Sequence, residues 1–217
     1  MSLVLIIFFG VLAYLIGSIP TSVWFGKHYF KLDLREHGSG NPGATNTFRV
    51  LGKRAGTIVL LGDVLKGTLA TALAVVLLRL EFIPLEDLIR FKLLFGVLAV
   101  VGHIFSAFLN FKGGKGVATL LGMTIAIEPE GAIISIAVFL AVLFISKYVS
   151  LGSMLGALAF PLTLITLPAL RPDDPILITY GFVLTAIVIW THRKNIQRLI
   201  QGTENKTYLI PKSNREE

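Results

Sequence analysis

The stretch TIVLLGDVLKGTLATALAVVLL, Thr57 to Leu78, runs for 22 residues with only two ionisable side chains, Asp63 and Lys66. A helix rises about 1.5 Å per residue, so about 20 apolar residues cross a hydrocarbon core roughly 30 Å thick. The run therefore has the length and polarity of a transmembrane helix. Asp63 and Lys66 are three apart and share a helix face, about 9 Å in from Thr57. Ionisable groups at that depth face protein or a water-filled cavity, so a pair that orders the bundle and a ligand contact are both open readings.

Six further apolar runs flank this one: Leu3 to Phe25, Phe91 to Phe108, Val117 to Ile127, Gly131 to Ile145, Leu151 to Leu170 and Ile176 to Trp190. Together they predict an all-α integral membrane protein of about seven transmembrane helices in one polytopic domain, 1–217, with a tail over 203–217. Val117 to Ile127 is the weakest span, only about half the usual length, and suits a short tilted or re-entrant helix. Nothing basic precedes the first run and no small-residue cleavage site follows it, so it reads as a retained helix, bent near Gly17 and Pro20. Composition agrees. Of 217 residues, 54% are hydrophobic and 15% charged, with mean hydropathy +0.77. A soluble domain carries about 25% charged residues, and a disordered chain lacks such apolar content, so both classes are excluded. There is no cysteine, hence no disulfide, thiolate metal site or cysteine nucleophile.

The net charge of +7 is divided by the seven-span topology. One side receives 15 Lys and Arg and sums to +10, whereas the other receives four and sums to −3. The basic side is cytoplasmic by the positive-inside rule, which puts the N-terminus outside and the C-terminus inside. Glu128 and Glu130 fall outside only if Val117 to Ile127 crosses, which supports that span.

Most of the non-membrane sequence is then cytoplasmic, and it is rich in glycine, amide and basic residues. The first loop holds Gly38-Ser-Gly-Asn-Pro-Gly-Ala-Thr-Asn46 followed by Arg49. Glycines permit successive N–H groups to converge on an anion, and an arginine meets phosphate through two parallel hydrogen bonds. A plain flexible turn would need neither the Arg nor the amides placed around the glycines. The second loop, Phe111-Lys-Gly-Gly-Lys-Gly-Val-Ala-Thr119, is not a nucleotide-hydrolysing phosphate loop, because Gly116 follows Lys115 where Ser or Thr is required. Two lysines at a helix N-terminus still suit an anion. After the last span come His192 and Asn195, which on a continuing helix face the same way, among Arg193, Lys194 and Arg198. On charge alone that segment reads as a basic helix lying on anionic lipid. His103, just inside the third long span, reads as hydrogen-bonded structure. No metal-ligand set and no Gly-x-Ser-x-Gly elbow is present in the sequence.

These residues carry a resemblance. Gly17-Ser-Ile-Pro20, Gly38 to Asn46 with Arg49, Gly102-His103 with Phe111 to Thr119, Ser150-Leu-Gly-Ser153, and His192 to Glu204 with Asn195 resemble the bacterial acyl-phosphate:glycerol-3-phosphate acyltransferases, the PlsY family. The match runs from about Gly17 to Glu204, and its first two loops are its most specific parts. The resemblance implies a multi-pass enzyme of the bacterial inner membrane with its active site on the cytoplasmic side. It implies transfer of a fatty acyl group from acyl phosphate to the 1-hydroxyl of sn-glycerol 3-phosphate, giving lysophosphatidic acid and phosphate. It implies no metal, no cofactor, no nucleic acid and no obligate protein partner, only the two substrates and membrane lipid.

Carried over by motif, Ser39, Arg49, His192 and Asn195 are the catalytic residues. Ser39 and Arg49 would contact the acyl phosphate, Lys112 and Lys115 the glycerol phosphate, and His192 and Asn195 the acceptor. Gly40, Asn41, Gly43, Thr45, Asn46, Gly113, Gly114, Ser150, Gly152, Ser153 and Glu204 complete the substrate-binding set. Two other classes fit parts of the pattern: a transporter or channel for a phosphorylated metabolite, and a non-catalytic lipid-binding subunit. Against transport, the polar groups cluster at one membrane face and not at the midplane of broken helices.

Overall fold

Along the helix that contains Asp63 the usual amphipathic order is reversed. Ile58, Leu61, Leu65 and Leu69 are each more than half exposed, while Asp63 and Lys66 are 2% and 5% exposed. Apolar side chains outward and ionic ones inward is the arrangement that a hydrocarbon solvent demands, since lipid cannot solvate the charges. The structure, a computed structural model, describes residues 3–172 and 174–207. Among the described residues every regular element is helical: α1 Leu3–Ser18, α2 Thr21–Phe30, α3 Ala44–Arg79, α4 Leu88–Ile104, α5 Val117–Ile127, α6 Pro129–Ser146, α7 Val149–Thr166, α8 Ile176–Thr191 and α9 Arg193–Ile200. The all-helical membrane architecture expected from the apolar runs is thus present. Residues 208–217 of the expected tail lie outside the described residues.

The bend expected near Gly17 and Pro20 is present: α1 and α2 meet at 44° at Ile19 and Pro20, and α2 continues to Phe30, past the expected Phe25. Proline cannot donate an amide hydrogen bond, and its ring disfavours helical geometry in the residue before it. The last span also breaks, by 61°, so that α9 leaves the line of α8 at His192. Among the described residues four helices are individually long and apolar enough to cross a membrane, and up to six spans result if each bent pair counts as one. The seventh expected crossing is α5, whose 11 residues reach about 16 Å, half of a hydrocarbon core.

The chain divides into two compact units that meet in sequence at Pro129 and Glu130. In the first, α3 packs on α4 and α5, and α1 packs on α4. Its core is built from small residues around one large ring, with Ala13, Ala70, Ala74 and Ala99 about Phe95, all fully buried. Small residues let apolar helices approach closely, which is where packing energy in lipid is found. The contact of α5 with α3 is of this type: a Cβ on Gly122 would stand 1.9 Å from the Val64 carbonyl oxygen. In the second unit α7 packs on α8, and Thr185 donates to the Ala157 carbonyl at 2.9 Å across that pair.

Candidate functional site

The first glycine-rich loop is shaped by Asn46, which is 1% exposed. Its side-chain amide donates to the carbonyls of Leu34 at 3.0 Å and His37 at 2.9 Å, and its oxygen accepts the Ser39 N–H at 2.9 Å. Every hydrogen-bonding group of this buried amide but one acceptor lone pair is occupied within the loop. Gly38 lies at φ +62°, and a Cβ there would meet the Asn46 oxygen at 2.4 Å, so only glycine fits the turn. The loop is anchored upstream at Asp33, which pairs with Arg35 at 2.6 Å and Lys27 at 3.0 Å. The Arg35 guanidinium, helped by Lys27, holds the Asp33 carboxyl well below the usual carboxylate range. This ion pair is not among the features expected from the sequence. The Asp-x-Arg spacing was the available signal, since it suits a two-point ion pair within one turn.

The loop delivers its chain to the N-terminus of α3. Gly43 occupies the cap position, so no side chain caps the first helical N–H groups, and Ser39 and Thr45 are exposed. Gly40 (φ +70°) and the half-buried Asn41 complete the turn, and Gly43 N–H donates to the Asn41 carbonyl at 3.0 Å. Arg49, one and a half turns into α3, is exposed and makes no side-chain hydrogen bond or ion pair among the described residues. A helix N-terminus with a nearby arginine is suited to an anion.

The second loop folds back on the end of α4. Gly113 and Gly114 donate their N–H groups to the carbonyls of Ile104 at 2.9 Å and His103 at 3.0 Å. Their amides thereby cap α4. Glycine is needed for the closeness of the fold, because a Cβ on Gly113 would lie 1.9 Å from the His103 oxygen. A Cβ on Gly114 would lie 2.3 Å from His103 Nε2 and 2.9 Å from the Pro42 oxygen, so the two glycine-rich loops abut at Pro42 and Gly114. Lys112 is exposed on one flank of the turn; Lys115, half-buried, is on the other, directly before the N-terminus of α5 at Gly116.

In the second unit a cluster forms around Glu204, whose side chain is 7% exposed. Its Oε1 accepts from Asn195 Nδ2 at 2.6 Å and Ser150 Oγ at 2.8 Å, and its Oε2 accepts from Arg198 Nε at 2.7 Å. Burial pushes the Glu204 carboxyl up, but these donors outweigh it and leave it below the usual range. His192 and Asn195 are both buried, at 2% and 7% exposure. They are not on one continuing helix as expected: His192 ends α8, and its carbonyl accepts the Asn195 N–H at 2.8 Å. His192 Nδ1 stands 2.8 Å from the Val188 carbonyl, which can only accept, so Nδ1 carries hydrogen. Ser153 donates to the Val149 carbonyl within α7, and Gly152 lies against Phe139 of α6.

The glycerol-3-phosphate acyltransferase family matches residues 7–202 of this chain. A glycerol-3-phosphate acyltransferase from Enterococcus faecalis is 48% identical over 201 residues, covering 90% of this chain and 89% of that protein. One from Listeria monocytogenes is 47% identical over 201 residues, covering 93% and 96%. Two solved structures of PlsY, described as an integral membrane glycerol 3-phosphate acyltransferase, superpose closely. The glycerol 3-phosphate form has TM-score 0.82 and 36% identity, covering 93% of this chain and 95% of that one. The lysophosphatidic acid form has TM-score 0.79 and 34% identity, covering 93% and 94%.

Proposed function

From the premise that the chain belongs to the glycerol-3-phosphate acyltransferase family, and is a membrane acyltransferase, we propose that its donor is acyl phosphate and its acceptor hydroxyl is the 1-hydroxyl of glycerol 3-phosphate. The products are lysophosphatidic acid and inorganic phosphate, and the reaction takes place at the cytoplasmic face of the bacterial inner membrane. The observation that carries this reading is the abutment of the two glycine-rich loops at Pro42 and Gly114. It joins the segment leading into α3, with Ser39 and Arg49, to the turn that bears Lys112 and Lys115. Two phosphate-bearing substrates need two groups of cationic and N–H donors close together, and this arrangement supplies them.

Arg49 and Ser39, with the first N–H groups of α3, hold the phosphate of the donor. Lys112 and Lys115 hold the phosphate of the acceptor. Asn41, Thr45 and Gly40 line the first loop, while Asn46 and Gly43 give it shape. On the motif alone, His192 and Asn195 act on the acceptor; within the second unit the Glu204 carboxylate accepts from Asn195 and Ser150. The acceptor oxygen attacks the acyl carbon, the bond from that carbon to the phosphate oxygen breaks, and phosphate leaves. Acyl phosphate is an activated mixed anhydride, so placement and charge stabilisation carry the rate. The hydroxyl proton passes to a phosphate oxygen of the substrate, and no separate base is required.

Purified protein in lipid vesicles, given acyl phosphate, should release phosphate only when glycerol 3-phosphate is present, with no gradient across the vesicle. Release without the acceptor, or acylation only from a thioester donor, would overturn the assignment. Transport of glycerol 3-phosphate without turnover would favour the transporter reading.

A further inference from the structure

The ion pair expected in the second span does more than pair. Asp63 Oδ1 accepts from Lys66 Nζ at 2.8 Å and Thr21 Oγ1 at 3.0 Å, and it stands 3.7 Å from His103 Nδ1. Lys66 Nζ also donates to the Ile19 carbonyl at 2.8 Å, at the break between α1 and α2. Thr119 Oγ1, from the first turn of α5, is 3.0 Å from His103 Nδ1. Asp63, Lys66, His103 and Thr119 are all buried. Four elements of the first unit are thus tied to one imidazole ring, and that ring lies against Gly114.

Such a network is costly to bury. Two charges withdrawn from water and lipid are compensated only if geometry is good, and an apolar replacement of similar shape is often as stable. Stability alone is therefore a weak reason for it, whereas fixing a unique arrangement is a use that buried polar groups are known to serve. What it fixes here is the His103 ring. The other ring nitrogen, Nε2, faces Gly114, and the His103 carbonyl accepts the Gly114 N–H, so the turn rests on His103 through both backbone and side chain. A polar cavity of about 10 Å³, lined by Ser18, Asp63, Lys66, His103, Ser106 and Pro42 among others, adjoins the network. That is room for about one water, far too small for a substrate phosphate, so these groups do not themselves form a phosphate site.

We infer that Asp63, Lys66, His103 and Thr119 are positioning residues that hold the Gly113–Gly114 turn, and through it set Lys112 and Lys115 for the acceptor phosphate. The second half of that statement rests on the proposed function; the first does not. The test uses the full chain in lipid with three variants. Thr119→Val removes one hydrogen bond with almost no change of shape, Thr119→Ser keeps the hydroxyl but loses the methyl, and Asp63→Asn with Lys66→Met removes both charges together. Two quantities are read: the rate of trypsin cleavage at Lys112 and Lys115 relative to Lys53 and Arg54, and KM for glycerol 3-phosphate against kcat.

Thr119→Val should cleave about fivefold faster in the turn and raise KM about fivefold with kcat nearly unchanged, the size of one buried hydrogen bond. The double variant should do more, and Thr119→Ser should restore both readings, which a purely packing role would not allow. Unchanged cleavage in Thr119→Val overturns the inference, whatever KM does and whether or not the double variant folds. Faster cleavage with unchanged KM upholds the positioning role and removes Lys112 and Lys115 from the acceptor phosphate.

Discussion

The side-chain oxygen of Asn46 accepts the backbone N–H of Ser39 at 2.9 Å, while its nitrogen donates to two carbonyls of the same loop. Asn46 therefore supports the first glycine-rich loop, and a substitution can tell support from ligand contact. Asn46→Asp keeps the acceptor for Ser39 but turns a carboxylate oxygen toward the Leu34 and His37 carbonyls. Leaving such groups unsatisfied costs about 2–3 kcal/mol. The expected outcome is a lower unfolding temperature in detergent together with activity reduced at least about tenfold. A KM defect at unchanged unfolding temperature would instead make Asn46 a ligand.

Arg49→Lys should not behave as a conservative change. A guanidinium offers a planar pair of N–H donors to phosphate, and an ammonium is a point charge on a flexible stem. Arg49 is exposed, so the replacement has little to disturb in the fold. Turnover of acyl phosphate should fall by about ten- to a hundredfold with unchanged thermal stability. Near-normal activity would remove Arg49 from the phosphate site.

Much of this arrangement was legible in the residues. The apolar runs locate the helices, and Val117 to Ile127 coincides with α5, because a run bounded by glycine-rich and acidic loops has only one way to begin and end. The spacing of Asp63 and Lys66 foretold their pairing, and His103 is the hydrogen-bonded residue it was expected to be. What could not be read were contacts between residues distant in sequence. Nothing local says that Gly114 meets Pro42, that Thr119 reaches His103, or that Glu204 gathers Ser150 and Asn195. Donor and acceptor counts were equally hidden: nothing local says that α4 uses the N–H groups of Gly113 and Gly114. The break at His192 carries no proline or glycine to announce it.

Glu204→Gln should loosen the second cluster. The carboxylate accepts from Ser150, Asn195 and Arg198, and an amide would turn one donor toward another. The Arg198 side chain is 38% exposed, so its ion pair is screened and contributes little. The loss should be about 1–2 kcal/mol in chemical unfolding, carried mainly by the Ser150 and Asn195 bonds. Because the folded carboxyl is held below its ordinary value of 4.5, this stabilisation is complete above that value. It disappears as pH falls through the lowered folded value. The natural chain should therefore lose stability on acidification below about pH 4.5 more steeply than the variant. Equal acid slopes would show that Glu204 contributes no such linkage.

His192→Gln decides how the acceptor proton leaves. Nδ1 carries hydrogen toward the Val188 carbonyl; an imidazole in that tautomer can in principle either orient a hydroxyl or take its proton through Nε2. Glutamine can accept a hydrogen bond but cannot serve as a base near neutral pH. If the substrate phosphate takes the proton, the variant should retain measurable turnover, about ten- to a hundredfold reduced, with a pH profile of kcat that keeps the shape of the natural enzyme's. If His192 is the base, turnover vanishes while folding and glycerol 3-phosphate binding remain normal, and the substrate-assisted route is excluded. Binding is read separately by thermal stabilisation with glycerol 3-phosphate, so a variant that merely fails to bind is not mistaken for one that fails to transfer the proton.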